Sequence, residues 1–197
     1  MMFDSHTHIL RRNAIVDIDP VDSPPAACGT LLRKGYTYSV GIHPWNVYRF
    51  TPDNLRLLRA LAAEPSVIAI GECGLDPNLH EKYVAVEGGN LFAGAARLSR
   101  PEILTAQTEL LKMHYGLSET LGKPLILHIV KSFPEIIALK RLWKPAQPWI
   151  VHGFRGKPQL ARELLNHGFY LSFGQRYNPL SLALTPPSRL LRETDAM

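Results

Sequence analysis

The sequence of 197 residues has few cysteines and no long apolar segment. Its two cysteines, Cys28 and Cys73, are too few for a disulfide framework, which excludes the class of small disulfide-stabilised secreted domains. No run of about 18 apolar residues occurs, so we expect no membrane span. The N-terminus lacks a charged segment followed by an apolar one, and we therefore expect no signal peptide and a cytoplasmic location.

The chain also lacks the compositional bias of disordered or fibrous proteins. Hydrophobic residues make up 46% and charged residues 20%, which is ordinary for a globular protein. A chain of this length has room for one large core, and we expect a single domain over residues 1–197. The formal net charge of +5 favours a polyanionic partner, although net charge alone says nothing about chemistry.

Short β-rich apolar runs recur along the chain and predict eight strands. Each run is followed by glycine, histidine or an acidic residue, and then by a polar loop. The runs are Met2–Phe3, Ala14–Ile18, Tyr36–Val40, Val67–Ile70, Pro124–Leu127, Pro148–Val151, Phe169–Phe173 and Arg189–Leu191.

Helical patterns with start and stop signals separate several of these runs. One begins at Thr51-Pro52, and the others cover Pro101–Leu121, Ser132–Trp143 and Lys157–His167. Ser132 and Glu135 have the spacing of a capping box. Because strands and helices alternate, we expect a parallel sheet, and eight strands favour a closed (β/α)₈ TIM barrel over an open doubly wound sheet.

Reactive side chains follow the strands at the same end. In a parallel barrel these ends open on one face, where barrel enzymes have their active sites, so residues distant in sequence should meet there. Period-two alternation also predicts that Asp4, His6 and His8 face one side. The residues at the strand ends are His6, His8, His43, Glu72, His128, His152, Glu193 and Asp195.

This group of imidazoles and carboxylates predicts a metal site. It has too many ligands for one tetrahedral zinc ion, and it suits two divalent ions about 3.5–4 Å apart with a shared carboxylate. Mixed ligation of this kind suits Zn, Mn, Co or Mg, without a choice among them. Taken singly, a histidine after a strand is more often an ordinary hydrogen-bonded residue, but the shared position of the whole group favours the ligand interpretation.

Cationic residues lie in the loops after the later strands. Lys131, Arg155, Lys157 and Arg176 should form a positive rim around the metal face, and Arg and Lys are the usual phosphate-binding side chains. The alternative is that these loops are simply polar.

Four other residues of reactive type lack this placement. His80, His114 and His167 do not follow a strand, so we predict surface roles for them. Cys73 has no positioned base beside it, which favours a small buried residue over a nucleophile.

Seven motifs, in this order along the chain, resemble the TatD family of metal-dependent deoxyribonucleases, which belongs to the amidohydrolase-type TIM barrels. They are Phe3-Asp4-Ser5-His6-Thr7-His8, Val40-Gly41-Ile42-His43-Pro44-Trp45, Ile70-Gly71-Glu72-Cys73-Gly74-Leu75-Asp76, Pro124-Leu125-Ile126-Leu127-His128, Val151-His152-Gly153-Phe154-Arg155-Gly156, Gly168-Phe169-Tyr170-Leu171-Ser172-Phe173-Gly174 and Leu191-Arg192-Glu193-Thr194-Asp195.

The resemblance implies hydrolysis of a phosphodiester by a 3′–5′ exonuclease that acts on the ends of DNA or RNA. Glu72 would be the bridging carboxylate, and Asp195 would orient or deprotonate the attacking water. His43, together with Lys131 and Arg155, would bind substrate phosphate. The implied metal ligands are His6, His8, Glu72, His128, His152 and Asp195.

The sequence departs from the family pattern in several places. Lys131 stands where many members have arginine, so that a point charge replaces a bidentate fork. Residues 77–100 form an insertion longer than the resemblance implies, which we expect to be a loop or lid beside the site. Apart from the family, the proline-rich residues 19–35 do not fit the alternation of strands and helices, and we expect an abbreviated connection there. Two residues follow Asp195, so we expect a barrel without the final helix, either as a homodimer that covers the exposed strands or as a less stable monomer.

Two other functions stay open. One is hydrolysis of an amide or lactone by the same metal-dependent barrel superfamily, which shares the ligands but does not need the cationic rim. The other is a catalytically decayed nucleic-acid-binding protein with an empty site.

Overall fold

Eight parallel strands form the centre of the computed structural model, which describes residues 3–23, 31–78 and 98–195. The strands follow one another in chain order, as predicted for a (β/α)₈ barrel. Seven predicted runs overlap a strand, and the first strand begins directly after the run Met2–Phe3. The strands are β1 Asp4–Thr7, β2 Ala14–Ile18, β3 Thr37–Val40, β4 Val67–Leu75, β5 Leu125–Ile129, β6 Trp149–Val151, β7 Tyr170–Phe173 and β8 Leu190–Arg192.

Five α-helices lie in the described ranges, and the first four confirm the predicted helices. They are α1 Pro52–Ala63, α2 Arg100–Leu121, α3 Phe133–Trp143, α4 Pro158–Asn166 and α5 Pro179–Leu184. Thr51 caps α1 by accepting a hydrogen bond from the N–H of Asn54, and Gly122 ends α2 in the left-handed conformation. Within the same three described ranges, no helix is both long and apolar enough for a membrane span.

The capping box predicted at the start of α3 is wrong. Ser132 has backbone angles of φ −138 and ψ 29, outside the extended region that a capping residue adopts, and its side chain makes no cap hydrogen bond. Glu135 accepts a hydrogen bond of 2.7 Å from Arg100 at the start of α2. The Ser132 hydroxyl and the Glu135 carboxylate therefore do not form a capping box at the start of α3.

The first and last strands lie beside each other at a seam, so that the barrel is nearly closed. The hydroxyl of Ser5 donates to the carbonyl of Arg192 at 3.1 Å, and the main-chain N–H of Asp195 donates to the carbonyl of His6 at 3.1 Å. These bonds place Asp195 beside the end of β1.

Asp4 belongs to this seam and does not share a face with His6 and His8, contrary to the prediction from alternation. Its carboxylate accepts hydrogen bonds from the main-chain N–H of Thr194 at 3.0 Å and from the Thr194 hydroxyl at 2.7 Å. The register of β1 against β2 shifts within the strand, which breaks the simple period of two.

The barrel interior changes from apolar to polar along the strands. Ile15, Ala69, Ile126 and Ile150 form a small buried cluster inside the barrel. Two residues after Ile15 the inward position holds Asp17, which pairs in register with Ser39 of β3. A polar layer therefore lies above the apolar cluster, towards the carboxyl ends of the strands.

Some predictions fall on residues that are only partly described. The abbreviated connection predicted for residues 19–35 and the insertion predicted for residues 77–100 lie partly outside the described residues. Cys28 and His80 lie wholly outside them.

Candidate metal centre

Glu72 lies at the centre of a cluster of histidines, and its two oxygens face different groups. Oε1 is 2.6 Å from His128 Nδ1 and 2.7 Å from His152 Nε2. Oε2 is 3.4 Å from His6 Nε2 and 3.8 Å from His8 Nε2. The carboxylate thus has one pair of imidazoles on each side.

Two glycines allow the strands around Glu72 to approach closely. A Cβ on Gly41 would lie 2.5 Å from the carbonyl oxygen of Glu72, and a Cβ on Gly74 would overlap the carbonyl oxygen of His128. Gly74 also has a φ of +143, a conformation that side chains rarely adopt. The strand β4 consequently lies tightly between its neighbours, with Glu72 in reach of the histidines.

Asp195 completes the side of the cluster that holds His6 and His8. Its Oδ1 is 3.8 Å from His6 Nε2 and 3.9 Å from His8 Nε2. The His6 side chain is fully buried, yet within the described ranges neither of its ring nitrogens makes a well-aligned hydrogen bond. A buried imidazole without such a partner is suited to a cation.

Among the residues that the structure describes, three overlapping sets bring their ligand atoms within 4.8 Å of one another. All six residues predicted as metal ligands belong to these sets, together with His43. The sets are His6, His8 and Glu72; His6, His152 and Asp195; and His43, Glu72 and His128.

Three of the histidines have a further carboxylate at the ring nitrogen that faces away from Glu72. Carboxylates behind ligand histidines fix the ring orientation and tautomer at metal sites. The pairs are His8 Nδ1 and Asp17 Oδ2 at 3.8 Å, His128 Nε2 and Asp76 Oδ2 at 3.1 Å, and His152 Nδ1 and Glu193 Oε1 at 3.6 Å.

The electrostatics of the cluster stabilise a charged Glu72. Burial by itself would raise the pKa of Glu72, but the charge of His152 and hydrogen bonds from His128 and His152 hold that pKa well below its ordinary value. Burial opposes protonation of His152, yet Glu72 raises the pKa of His152 well above its ordinary value. Protons and a divalent ion would therefore compete for the same imidazole nitrogens.

His43 presents a proton donor to the cluster. Its Nδ1 accepts a hydrogen bond of 3.1 Å from the main-chain N–H of Trp45, so the ring proton of the neutral form lies on Nε2. Nε2 is 3.5 Å from Glu72 Oε1. Burial lowers the pKa of His43, which keeps the ring neutral. The Asp19 carboxylate holds this loop by accepting from the His43 main-chain N–H at 2.9 Å.

Asp76 links His128 to helix α2. Its carboxylate accepts a hydrogen bond of 2.8 Å from Trp45 Nε1, and its main-chain N–H donates to Gln107 Oε1 at 2.9 Å. Gln107 Nε2 donates in turn to the Asp76 carbonyl at 2.7 Å. These bonds hold the Asp76 carboxylate in place behind His128.

The predicted cationic rim lies in exposed loops at the carboxyl ends of β5, β6 and β7. Lys131, Arg155, Lys157 and Arg176 are all exposed. Lys131 has a φ of 51, and its carbonyl accepts a hydrogen bond from Arg100 at 2.9 Å. The four cations therefore occupy the predicted loops.

The surface role predicted for His114 is wrong, because His114 is fully buried. Its Nε2 accepts a hydrogen bond of 2.9 Å from the main-chain N–H of Ile42, and its Nδ1 donates to the Leu110 carbonyl at 2.8 Å. The N–H of Ile42 lies beyond β3 and needs an acceptor from another element. Burial lowers the pKa of His114 to about 4.

The predictions for Cys73 and His167 can also be compared with the structure. Cys73 is fully buried, as predicted, and burial raises the pKa of its thiol well above the ordinary value. His167 follows α4 and is partly exposed.

The sequence patterns do not indicate Asp17 and Asp19 as site residues. A signal for Asp17 exists, because it is a carboxylate within the otherwise apolar run Ala14–Ile18, and a buried charge in a strand is costly unless it has partners. Asp19 has the weaker signal of an Asp-Pro turn.

The chain is similar to known proteins in sequence and in fold. The family described as "TatD related DNase" matches residues 14–196. The "3'-5' ssDNA/RNA exonuclease TatD" of Cronobacter turicensis is 34% identical over 181 residues, which cover 86% of this chain and 61% of that protein. The "Uncharacterized metal-dependent hydrolase YabD" of Bacillus subtilis is 25% identical over 223 residues, covering 99% of this chain and 80% of that protein.

Among solved structures, YJJV, a TatD homolog from Escherichia coli, superposes with a TM-score of 0.67 at 20% identity, covering 92% of this chain and 66% of that chain. This likeness shows a shared fold. The chain spans about three fifths of the length of the TatD exonuclease that it matches in Cronobacter turicensis, the share being 61%. Because the family matches nearly all of the sequence, the chain belongs to the TatD related DNase family.

Proposed function

We propose that the chain is a divalent-metal-dependent phosphodiester hydrolase that removes nucleotides from the 3′ ends of DNA or RNA. The observation that carries this proposal is the position of Glu72 between two pairs of imidazoles, with a different oxygen facing each pair. The printed names of the TatD relatives support the substrate class, and the cationic rim supports a phosphate ligand.

The residues present fit two divalent ions. His6, His8 and Asp195 would hold one ion with Glu72 Oε2. The buried His6 nitrogens make no well-aligned hydrogen bond within the described ranges, which supports this assignment. His128 and His152 would hold the other with Glu72 Oε1. Ions bound there would lower the pKa of a water molecule and neutralise phosphate charge.

The remaining residues handle protons and the substrate. The Asp195 side chain is 29% exposed, so it can orient the attacking water and accept its proton. His43, neutral with its proton on Nε2, donates a hydrogen bond to a phosphate oxygen. Lys131 and Arg155 bind the remaining phosphate charge from the rim.

The rim distinguishes this function from hydrolysis of an amide or lactone. Both reactions would use the same ligands, but an uncharged substrate gains nothing from four exposed cations. The complete ligand cluster in turn does not support a catalytically decayed nucleic-acid-binding protein.

The test is an exonuclease assay with 5′-labelled single-stranded DNA and RNA in the presence of Mg²⁺ or Mn²⁺. We expect stepwise shortening from the 3′ end, which EDTA and the Glu72→Gln variant abolish. Glu163→Gln, which changes an exposed glutamate of α4, is the matched control and should keep full activity. Shortening by Glu72→Gln at the wild-type rate would refute the proposal.

A further inference from the structure

One buried carboxylate contacts two of the proposed ligands from behind. Asp17 Oδ1 accepts a hydrogen bond of 2.7 Å from the main-chain N–H of Glu72 and one of 2.9 Å from the hydroxyl of Ser39. Asp17 Oδ2 is 3.8 Å from His8 Nδ1. A single side chain of β2 thus connects β3, β4 and the residue that follows β1.

His8 is the ligand candidate that most needs such a contact. His6 lies within β1 and is fully buried, whereas His8 lies beyond the end of the strand with its side chain 35% exposed. Its Nε2 faces Glu72 Oε2 at 3.8 Å and Asp195 Oδ1 at 3.9 Å. A carboxylate beside Nδ1 favours the tautomer with its proton on Nδ1, which leaves the lone pair on Nε2.

Burial also destabilises the charged carboxylate of Asp17. Its side chain is 6% exposed and lies against the main chain of Glu72, whose carboxylate is buried as well. Two carboxylates buried together repel each other. Without a cation, this part of the molecule therefore carries an electrostatic cost that an uncharged side chain of the same shape would avoid.

We propose that Asp17 is a positioning residue for the metal centre. It fixes His8 as the tautomer whose Nε2 faces the ion, and it holds the main chain of Glu72 so that Oε2 faces the same ion. Asp17 touches neither the substrate nor the reacting atoms. This inference rests on the metal site proposed above.

The test uses Mn²⁺ binding to the full chain, followed by the electron paramagnetic resonance signal of free Mn²⁺. Asp17→Asn keeps the shape and an acceptor for the Glu72 N–H but removes the charge. We expect it to weaken Mn²⁺ binding by about 10- to 100-fold. Asp22→Asn is the matched control, because Asp22 contacts Asn46 and Arg49 and lies outside the ligand cluster. It should bind Mn²⁺ like the wild type.

Two further readouts separate positioning from a structural role. The metal-free Asp17→Asn protein should unfold at the wild-type temperature or higher, because the variant removes a repulsive buried charge. The ring ¹⁵N shifts of His8, assigned with His8→Gln, should report the Nδ1–H tautomer in the wild type and move towards the Nε2–H tautomer in Asp17→Asn.

Mn²⁺ binding by the wild type separates failure of the proposed metal site from failure of the positioning role of Asp17. Wild-type protein that does not bind Mn²⁺ overturns both the proposed function and this inference. Wild-type binding with an Asp17→Asn affinity within about twofold of it overturns the inference alone. If Asp17→Asn does not fold, Ser39→Ala carries the test, because it removes one hydrogen bond to Asp17 and no ligand. Severalfold weaker binding supports the inference, and unchanged binding overturns it.

Discussion

Glu72 Oε1 and His128 Nδ1 lie 2.6 Å apart, although the two residues are separated by 56 positions in the sequence. Neighbouring parallel strands bring them together, and Gly74 permits the close approach of β4 to β5. The same carboxylate turns its other oxygen towards His6. Glu72 therefore divides the cluster into two positions, each of which could hold a cation.

A divalent ion should stabilise the folded chain. Any ligand that binds only the folded state raises the free energy of unfolding, by about 2.7 kcal/mol at a concentration 100 times its dissociation constant. For a chain of this size we expect Mn²⁺ to raise the melting temperature by about 5–10 °C under such conditions. Differential scanning fluorimetry with and without EDTA measures the shift. An equal shift in His6→Ala would show that Mn²⁺ binds elsewhere.

Under the proposed function, the cationic rim should determine how the chain binds an oligonucleotide. Lys131→Glu and Arg155→Glu each replace a positive charge proposed to bind phosphate with a repulsive one, and we expect KM for an oligonucleotide to rise by about tenfold or more. The dependence of KM on salt should become shallower, because fewer counterions are released on binding. Arg162→Glu reverses an exposed charge on α4 and is the control. Unchanged KM in both rim variants would favour an uncharged substrate.

The seam between β1 and β8 should depend on Asp4. Asp4→Ala removes the acceptor for both the N–H and the hydroxyl of Thr194, in a site where Asp4 is buried. We expect a loss of about 1–3 kcal/mol in the free energy of unfolding, measured by urea denaturation.

Asp53→Ala is the control for this experiment, because Asp53 forms an exposed ion pair with Arg56. Such pairs contribute about 0–1 kcal/mol. Equal losses in Asp4→Ala and Asp53→Ala would show that the seam does not depend on Asp4.

His114 should make the wild-type chain sensitive to acid. Burial lowers the pKa of His114 to about 4, below the ordinary value of 6.5, so the folded state excludes a proton that the unfolded state binds. The contribution of neutral His114 to the free energy of unfolding is complete above about pH 6.5 and is lost as the pH falls towards 4. The total loss is roughly 3 kcal/mol.

His114→Gln tests this prediction because glutamine can accept the Ile42 hydrogen bond without titrating. The unfolding free energy of the wild type minus that of the variant should fall as the pH is lowered from 7 to 4.5, because only the wild type loses the contribution of His114. A constant difference over that range would contradict the burial of a neutral His114.

The sequence allowed the scaffold to be predicted because its signals are local. Apolar runs such as Ala14–Ile18 locate the strands, and Thr51 and Gly122 locate helix ends through their own turns. The convergence of the strand-end histidines followed from the rule that parallel strands share one active face.

What the sequence did not reveal depends on contacts between distant segments. His114 looks like an ordinary helical residue, and only the packing of α2 against the loop after β3 shows that it accepts from Ile42. The role of Asp17 likewise depends on its hydrogen bonds with Ser39 and Glu72, which are 22 and 55 positions away in the sequence. Asp4 was placed on the wrong face because a register shift in β1 cannot be read from alternation.

The most direct measurement is a crystal structure of the chain grown with Mn²⁺, with the ions located by their anomalous scattering. We expect two anomalous peaks about 3.5–4 Å apart. One should lie between Glu72 Oε2 and the imidazoles of His6 and His8, the other between Oε1 and those of His128 and His152. Ions bound away from Glu72, or no ion at saturating Mn²⁺, would contradict the proposed metal site at Glu72.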